Sequence, residues 1–267
     1  MTIVLRNVFT KSLRDARRGL IGWGISIVVL VLLEAALWPS VRNMAELQQF
    51  LENYPEALRK LFNLDQFATG TGFMNAELYS LLLPILFLVY AIGRGARAIA
   101  GEEETGTLDV LLVTRVSPVS LIVQQAAALA VAVAALGTVL FAAVMTWSPV
   151  FDLGIGVADA AGGSLALVLL GIEYGWLALA FGAAAGRRAA AVSVAAALAI
   201  AAYVLYAAGA LVDAIEPWQP LSPFHQAIDG GPLGAGLPAG YAWMAVGAVV
   251  FVLAALPVFN RRDIAAR

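Results

Sequence analysis

Three consecutive carboxylates, Glu102, Glu103 and Glu104, stand in the segment RGARAIAGEEETGTLDVLLVTRVSPV, residues 94–119, between two long apolar stretches. Carboxylates in a row can pair with the basic surface of a partner, and their charge keeps the segment in water. Gly106 breaks the helix that precedes it. Thr107 can then N-cap a short helix over 108–113, with Asp109 in the first turn, where a negative charge suits the helix dipole. Leu108, Leu111 and Leu112 form an apolar knob that no lipid covers if this helix projects into water. Ser117-Pro118 is an N-cap followed by an N1 proline, the start of another helix. Two readings fit these residues. One is a stiff hairpin with a greasy tip that a soluble partner can push. The other is a solvated loop carrying a charge run, which composition alone favours.

Elsewhere the residue types that covalent chemistry needs are missing. The only lysines are Lys11 and Lys60, and neither follows a G-x-x-x-x-G pattern, so there is no phosphate-cradling loop. No H-E-x-x-H, G-x-S-x-G or Cys/His cluster occurs, and the absence of cysteine removes disulfides and thiolate metal sites. The single histidine, His225, lacks the partners a ligand role requires and reads as an ordinary loop or interface residue. No catalytic residue, metal site or cofactor is therefore expected on this chain, and no nucleic-acid partner. Two further carboxylates fall inside apolar stretches. Glu34 lies near the end of the first stretch, within reach of lipid headgroups. Glu173 lies mid-stretch, where a carboxylate costs several kcal/mol or loses its charge.

The elements that carry these residues are set by composition. Apolar residues fill 61% of 267 positions and charged residues 13%, with a mean hydropathy of +0.86. A soluble domain carries about 25% charged residues, so this chain cannot cover a water-facing surface. Its apolar runs are long enough to cross roughly 30 Å of hydrocarbon. The sequence predicts an all-α membrane protein forming one transmembrane domain over 1–267, with six spans at about 20–40, 77–98, 119–146, 164–186, 189–212 and 240–259. The first run is too long for a signal-peptide core and is read as retained. In the fourth, Gly171, Gly175, Ala178, Gly182 and Gly186 line one face, a small-residue stripe for close packing, with Glu173 about 160° away from it. If the stripe packs inward, the face bearing Glu173 must also be covered, by a span, by a second chain or by the transport path. A hydrogen-bonded, protonated acid and a cargo- or proton-linked site both remain open there.

Of the 16 basic residues, the arm, the loop between spans 2 and 3, the turn between spans 4 and 5 and the tail hold all but Arg42, Arg59 and Lys60. Positive charge is retained in the cytoplasm, so both termini and the acidic segment are expected inside, as an even span count requires. In the arm, Leu5, Val8, Phe9, Leu13 and Ala16 share one helical face and the cations the other, predicting an amphipathic interfacial helix or a basic flank. On the opposite side, apolar residues between Leu47 and Phe62 recur at helical spacing, predicting two short amphipathic helices around Pro55. The stretch 213–240 has five prolines and no Lys or Arg; it fits a re-entrant segment and an ordinary loop equally well.

The order of these features resembles the ABC-2-type transporter permeases. The residues that carry the resemblance are Glu102, Glu103, Glu104, Gly106, Thr107, Leu108, Leu111, Leu112, Pro118, Val119 and Ser120, with Asn75 to Ser80 before span 2 and Leu221-Ser222-Pro223-Phe224 before span 6. Arg115 departs from the small or polar residue common before the proline. The resemblance implies the permease subunit of an ATP-driven exporter in a prokaryotic inner membrane. It implies a dimer with an identical or homologous second permease and two separate ATPase subunits, which hold the ATP and magnesium. The coupling residues would be Glu102 to Glu104, Gly106, Thr107, Leu108, Leu111, Leu112 and Arg115, and the cargo an amphiphilic drug, antibiotic or lipid. A self-contained secondary transporter or channel, and a non-transporting scaffold, are the alternatives. The first two usually show broken helices or several intramembrane charges, and only Glu34 and Glu173 are present here.

Overall fold

The computed structural model describes residues 7–43, 55, 59, 64–106 and 117–261, and the regular structure among them is helical. Six helices are long and apolar enough to cross a membrane: Val8–Arg42, Gly70–Glu104, Pro118–Trp147, Val157–Ala185, Arg188–Leu211 and Gly240–Asn260, numbered spans 1 to 6. The chain is an all-α, multi-pass membrane protein. The expected outer helices between Leu47 and Phe62 lie, but for Pro55 and Arg59, outside the described residues.

Each helix starts and stops where the local chemistry demands. Asn7 caps span 1 by accepting a 2.9 Å hydrogen bond from Phe9 N–H. Ser117 does the same for span 3, accepting from Ser120 N–H at 3.2 Å, with Pro118 as the first helical residue. Span 4 ends at Gly186, whose φ of +63° is the left-handed cap that favours glycine. Span 2 is continuous but not uniformly α: it runs as π-helix over Asn75–Leu82 and again over Arg97–Gly101. The first of these widened turns adjoins Pro84, which has no N–H to give back to the preceding turn.

Span 1 corrects the expected division between arm and span. No proline interrupts Lys11 to Leu20, and the arm runs straight into the span as one helix of 35 residues. At 1.5 Å per residue it is roughly 50 Å long, more than the hydrocarbon thickness, so its first turns project beyond it. Val8, Ser12 and Ala16 on those turns are buried, while Arg14, Arg17 and Arg18 are exposed.

Span 4 is the axis of the bundle: 67% of its most apolar window is buried, against 22% for spans 1, 5 and 6. Its small-residue stripe packs on span 2. A Cβ at Gly95 would collide with the carbonyl oxygen of Gly175, and one at Gly182 would touch Ala96 and Ala100. The backbones therefore meet because neither side offers a side chain. At one end of the bundle Val8, Ile99, Leu121, Leu179, Ala183 and Phe259 share a buried cluster, so both described ends of the chain lie on one face.

On the far face, residues 213–239 do not stand away from the bundle. A 3-10 turn over Glu216–Leu221 and a short helix over Pro223–Ile228 fold back along span 5. Gln219 Nε2 donates to Tyr206 O at 2.8 Å, and Ser222 Oγ donates to Ala202 O at 2.8 Å. Ala202 is nine residues before Leu211, so the segment reaches back roughly 13 Å along the helix. Asn75 then pins its far limb, its amide pairing both the N–H and the C=O of Leu233 at 3.0 Å. Protein thus satisfies the polar groups of this irregular backbone, as a re-entrant segment would require.

Candidate functional site

The acidic end of span 2 is built by three elements that the sequence does not bring together. Glu102 Oε1 accepts a hydrogen bond from Lys11 Nζ of span 1 at 2.7 Å. Glu104 Oε1 accepts from the N–H of Arg188, the first helical residue of span 5, also at 2.7 Å. Arg187, the N-cap residue there, makes no side-chain cap, so a carboxylate from span 2 takes that place at the positive end of the helix dipole. Glu103 is half-buried beside them, and Thr105 Oγ1 closes the helix end on Gly101 O at 2.9 Å.

The first turns of span 1 are held by further polar contacts. Ser12 Oγ donates to Gln125 Oε1 of span 3 at 2.5 Å, Arg94 Nη2 donates to Ser12 O at 3.1 Å, and Phe9 N–H donates to Gln124 Oε1 at 3.2 Å. Between them lies a small polar cavity of about 140 Å³, lined by Ser12, Asp15, Arg94, Arg97, Glu102 and Gln125. Spans 1, 2, 3 and 5 thus meet in one polar joint. Gly106, with φ of +68°, turns the chain out of it in a conformation that favours glycine. Thr107, Leu108, Leu111, Leu112 and Arg115 lie outside the described residues, which begin again at Ser117. Residues 107–116 connect Gly106 on one side with the capped start of span 3 on the other.

A family model described as ABC-2 family transporter protein matches residues 6–264. The chain belongs to the ABC-2 transporter family. No curated protein matches it. ABC-2 permeases are membrane transport components, in general not catalytic themselves, and they normally partner with an ABC ATPase.

Glu34 and Glu173, the two carboxylates singled out in the apolar stretches of this ABC-2 protein, are placed differently. Glu34 is half-buried on span 1. Glu173 is 7% exposed and covered by span 6: a Cβ at Gly247 would lie 2.6 Å from its Oε1. The two carboxylates are not brought together with the acidic joint. Sequence reasoning missed the roles of Lys11, Ser12, Arg188 and the pair Gln124-Gln125. The signal for the last was present: two adjacent amides in an otherwise apolar run seek partners on other helices.

Proposed function

We propose that this chain is the permease subunit of an ATP-driven exporter, working as a dimer with a second permease chain, identical or homologous, and two copies of a separate ATPase. The basic face, with both termini and the acidic joint, is cytoplasmic, since basic residues are retained there. The ATPase docks on residues 107–116 through Leu108, Leu111 and Leu112, with Glu102, Glu103, Glu104, Gly106, Thr107 and Arg115 framing the contact. ATP and magnesium belong to that partner.

The observation that supports this reading best is the polar joint at the end of span 2. A push on 107–116 cannot displace span 2 alone. Glu102 is bonded to span 1 and Glu104 to span 5, so the same movement is passed to both. A mere solvated loop would not need its carboxylates committed to two other spans. The cargo on this reading is amphiphilic, a drug, an antibiotic or a lipid, because the spans offer few polar positions to a hydrophilic one.

Affinity purification of the tagged full-length chain from its native membrane tests the assignment. A P-loop ATPase retained at equal stoichiometry is the expected result. A chain that purifies without one, yet transports when reconstituted alone, refutes it in favour of a self-contained transporter.

A further inference from the structure

The buried carboxyl of Glu173 is the one intramembrane acid near mid-span that the polar joint does not use. It stands on span 4, the most enclosed helix, and its Oε2 is buried without a hydrogen-bond partner among the described residues. Its other oxygen faces Gly247, where span 6 presents bare backbone; any side chain there would occupy the space the carboxyl fills. The site is therefore shaped around the acid from both helices, although Oε2 satisfies nothing in this conformation.

No cation among the described residues answers it. Spans 3 and 6 contain no Asp, Glu, Lys or Arg, and span 5 has only Arg188 at its first turn. That residue lies at the acidic joint, with Glu104. Of the span 2 cations, Arg94 turns to Ser12 O in the same joint and Arg97 lines the cavity there. Asp159, at the opposite end of span 4, adds only like charge. A position that served packing alone would be filled more favourably by leucine or methionine, since a buried orphan polar group costs about 1–3 kcal/mol and a charged one more.

Span 6 is the other wall of this seam, held to span 4 mainly by apolar packing. It packs through a single stripe, Tyr241, Met244, Ala248, Ala255 and Phe259. The direct polar link to span 4 among the described residues is Tyr241 Oη donating to Gly162 O at 3.2 Å. Separation of the two helices would uncover the carboxyl without breaking a polar network.

We propose that Glu173 selects for positively charged cargo: when spans 4 and 6 part, its carboxylate becomes the counter-ion for the cationic group of a lipophilic molecule. This deepens the exporter reading and rests on it. An anion at membrane depth attracts a lipophilic cation strongly and repels an anion of the same shape.

The test uses the full-length chain with its co-purified ATPase in lipid nanodiscs. Its probes are tetraphenylphosphonium, a permanent lipophilic cation, and tetraphenylborate, its near-isosteric anion. Saturable phosphonium binding to the wild-type chain should fall about tenfold or more in Glu173→Gln and be largely kept in Glu173→Asp, while borate binding, which the carboxylate repels, should not fall in Glu173→Gln. On the unsubstituted protein, phosphonium should slow modification of Glu173 by the hydrophobic reagent dicyclohexylcarbodiimide, and borate should not. Equal phosphonium binding by wild type and Glu173→Gln overturns the inference, as does the absence of saturable binding or of protection. Retention of the ATPase in the same preparations reports on the permease assignment separately.

Discussion

Cutting the tie between Lys11 and Glu102 should loosen the first helix from the acidic end of span 2 by a measurable amount. The ammonium and carboxylate are 2.7 Å apart, with side chains 29% and 21% exposed. That places the pair between two limits. Fully exposed pairs contribute about 0–1 kcal/mol, and removing one partner of a fully buried pair costs about 3–5 kcal/mol. A charge-assisted hydrogen bond with this partial shielding should be worth about 1–2 kcal/mol, a factor of roughly 5–30 in an equilibrium. The neighbouring contacts of the arm, Ser12 with Gln125 and Arg94 with Ser12 O, remain in either single variant, so the arm should loosen without detaching. The assay is a double-mutant cycle on the purified chain, Lys11→Met, Glu102→Gln and both together, read by equilibrium unfolding in mixed micelles. The expected coupling energy is about 1–2 kcal/mol, decreasing at high salt. Additivity within about 0.5 kcal/mol would refute the claim that this pair ties span 1 to span 2.

Asn75→Ala leaves both backbone groups of Leu233 unpaired; at about 1–3 kcal/mol each, the thermal midpoint should drop and a cysteine placed at Ala235 should react faster. An unchanged midpoint and labelling rate would show that Asn75 does not hold the segment 213–239. Gly95→Val should destabilise the chain by about 1–3 kcal/mol or abolish its expression, because the new side chain meets the backbone of span 4. Gly93→Ala, two residues away and facing open space, should be tolerated in the same assay. For orientation, cysteines at Asn53 and Ala235 should label with an impermeant thiol reagent in intact cells, and cysteines at Thr105 and Ala265 only after permeabilisation. Labelling at 105 from outside would reverse the topology.

Hydropathy made the six spans legible, because crossing a bilayer imposes a composition that no other fold class shares. The span 4 stripe was legible for a similar reason: glycines at helical spacing have value only against another backbone, and Gly175 lies against Gly95. Burial of Glu173 followed from its angle to that stripe, yet Gly247 could not be foreseen, because nothing in a sequence says which residue of span 6 faces residue 173. The continuous first helix was hidden by its own cations. Arg14, Arg17 and Arg18 read as the edge of a membrane segment, whereas the backbone continues through them unbroken. The same holds for the acidic joint. Glu102 and Glu104 were legible as charges that must stay in water, but their bonds to Lys11 and Arg188 span 91 and 84 residues. Such long-range pairings leave no local pattern. The segment 213–239 was half legible: five prolines excluded a plain helix, and only the contacts of Gln219, Ser222 and Asn75 decided its path.

On the proposed function, a separate ATPase drives this permease through residues 107–116. Leu111→Asp with Leu112→Asp tests it most directly, because two charges there would spoil an apolar docking knob without entering any span. The double variant should insert and purify like the wild type but lose the co-purifying ATPase. Undiminished retention of the ATPase by the double variant would contradict it.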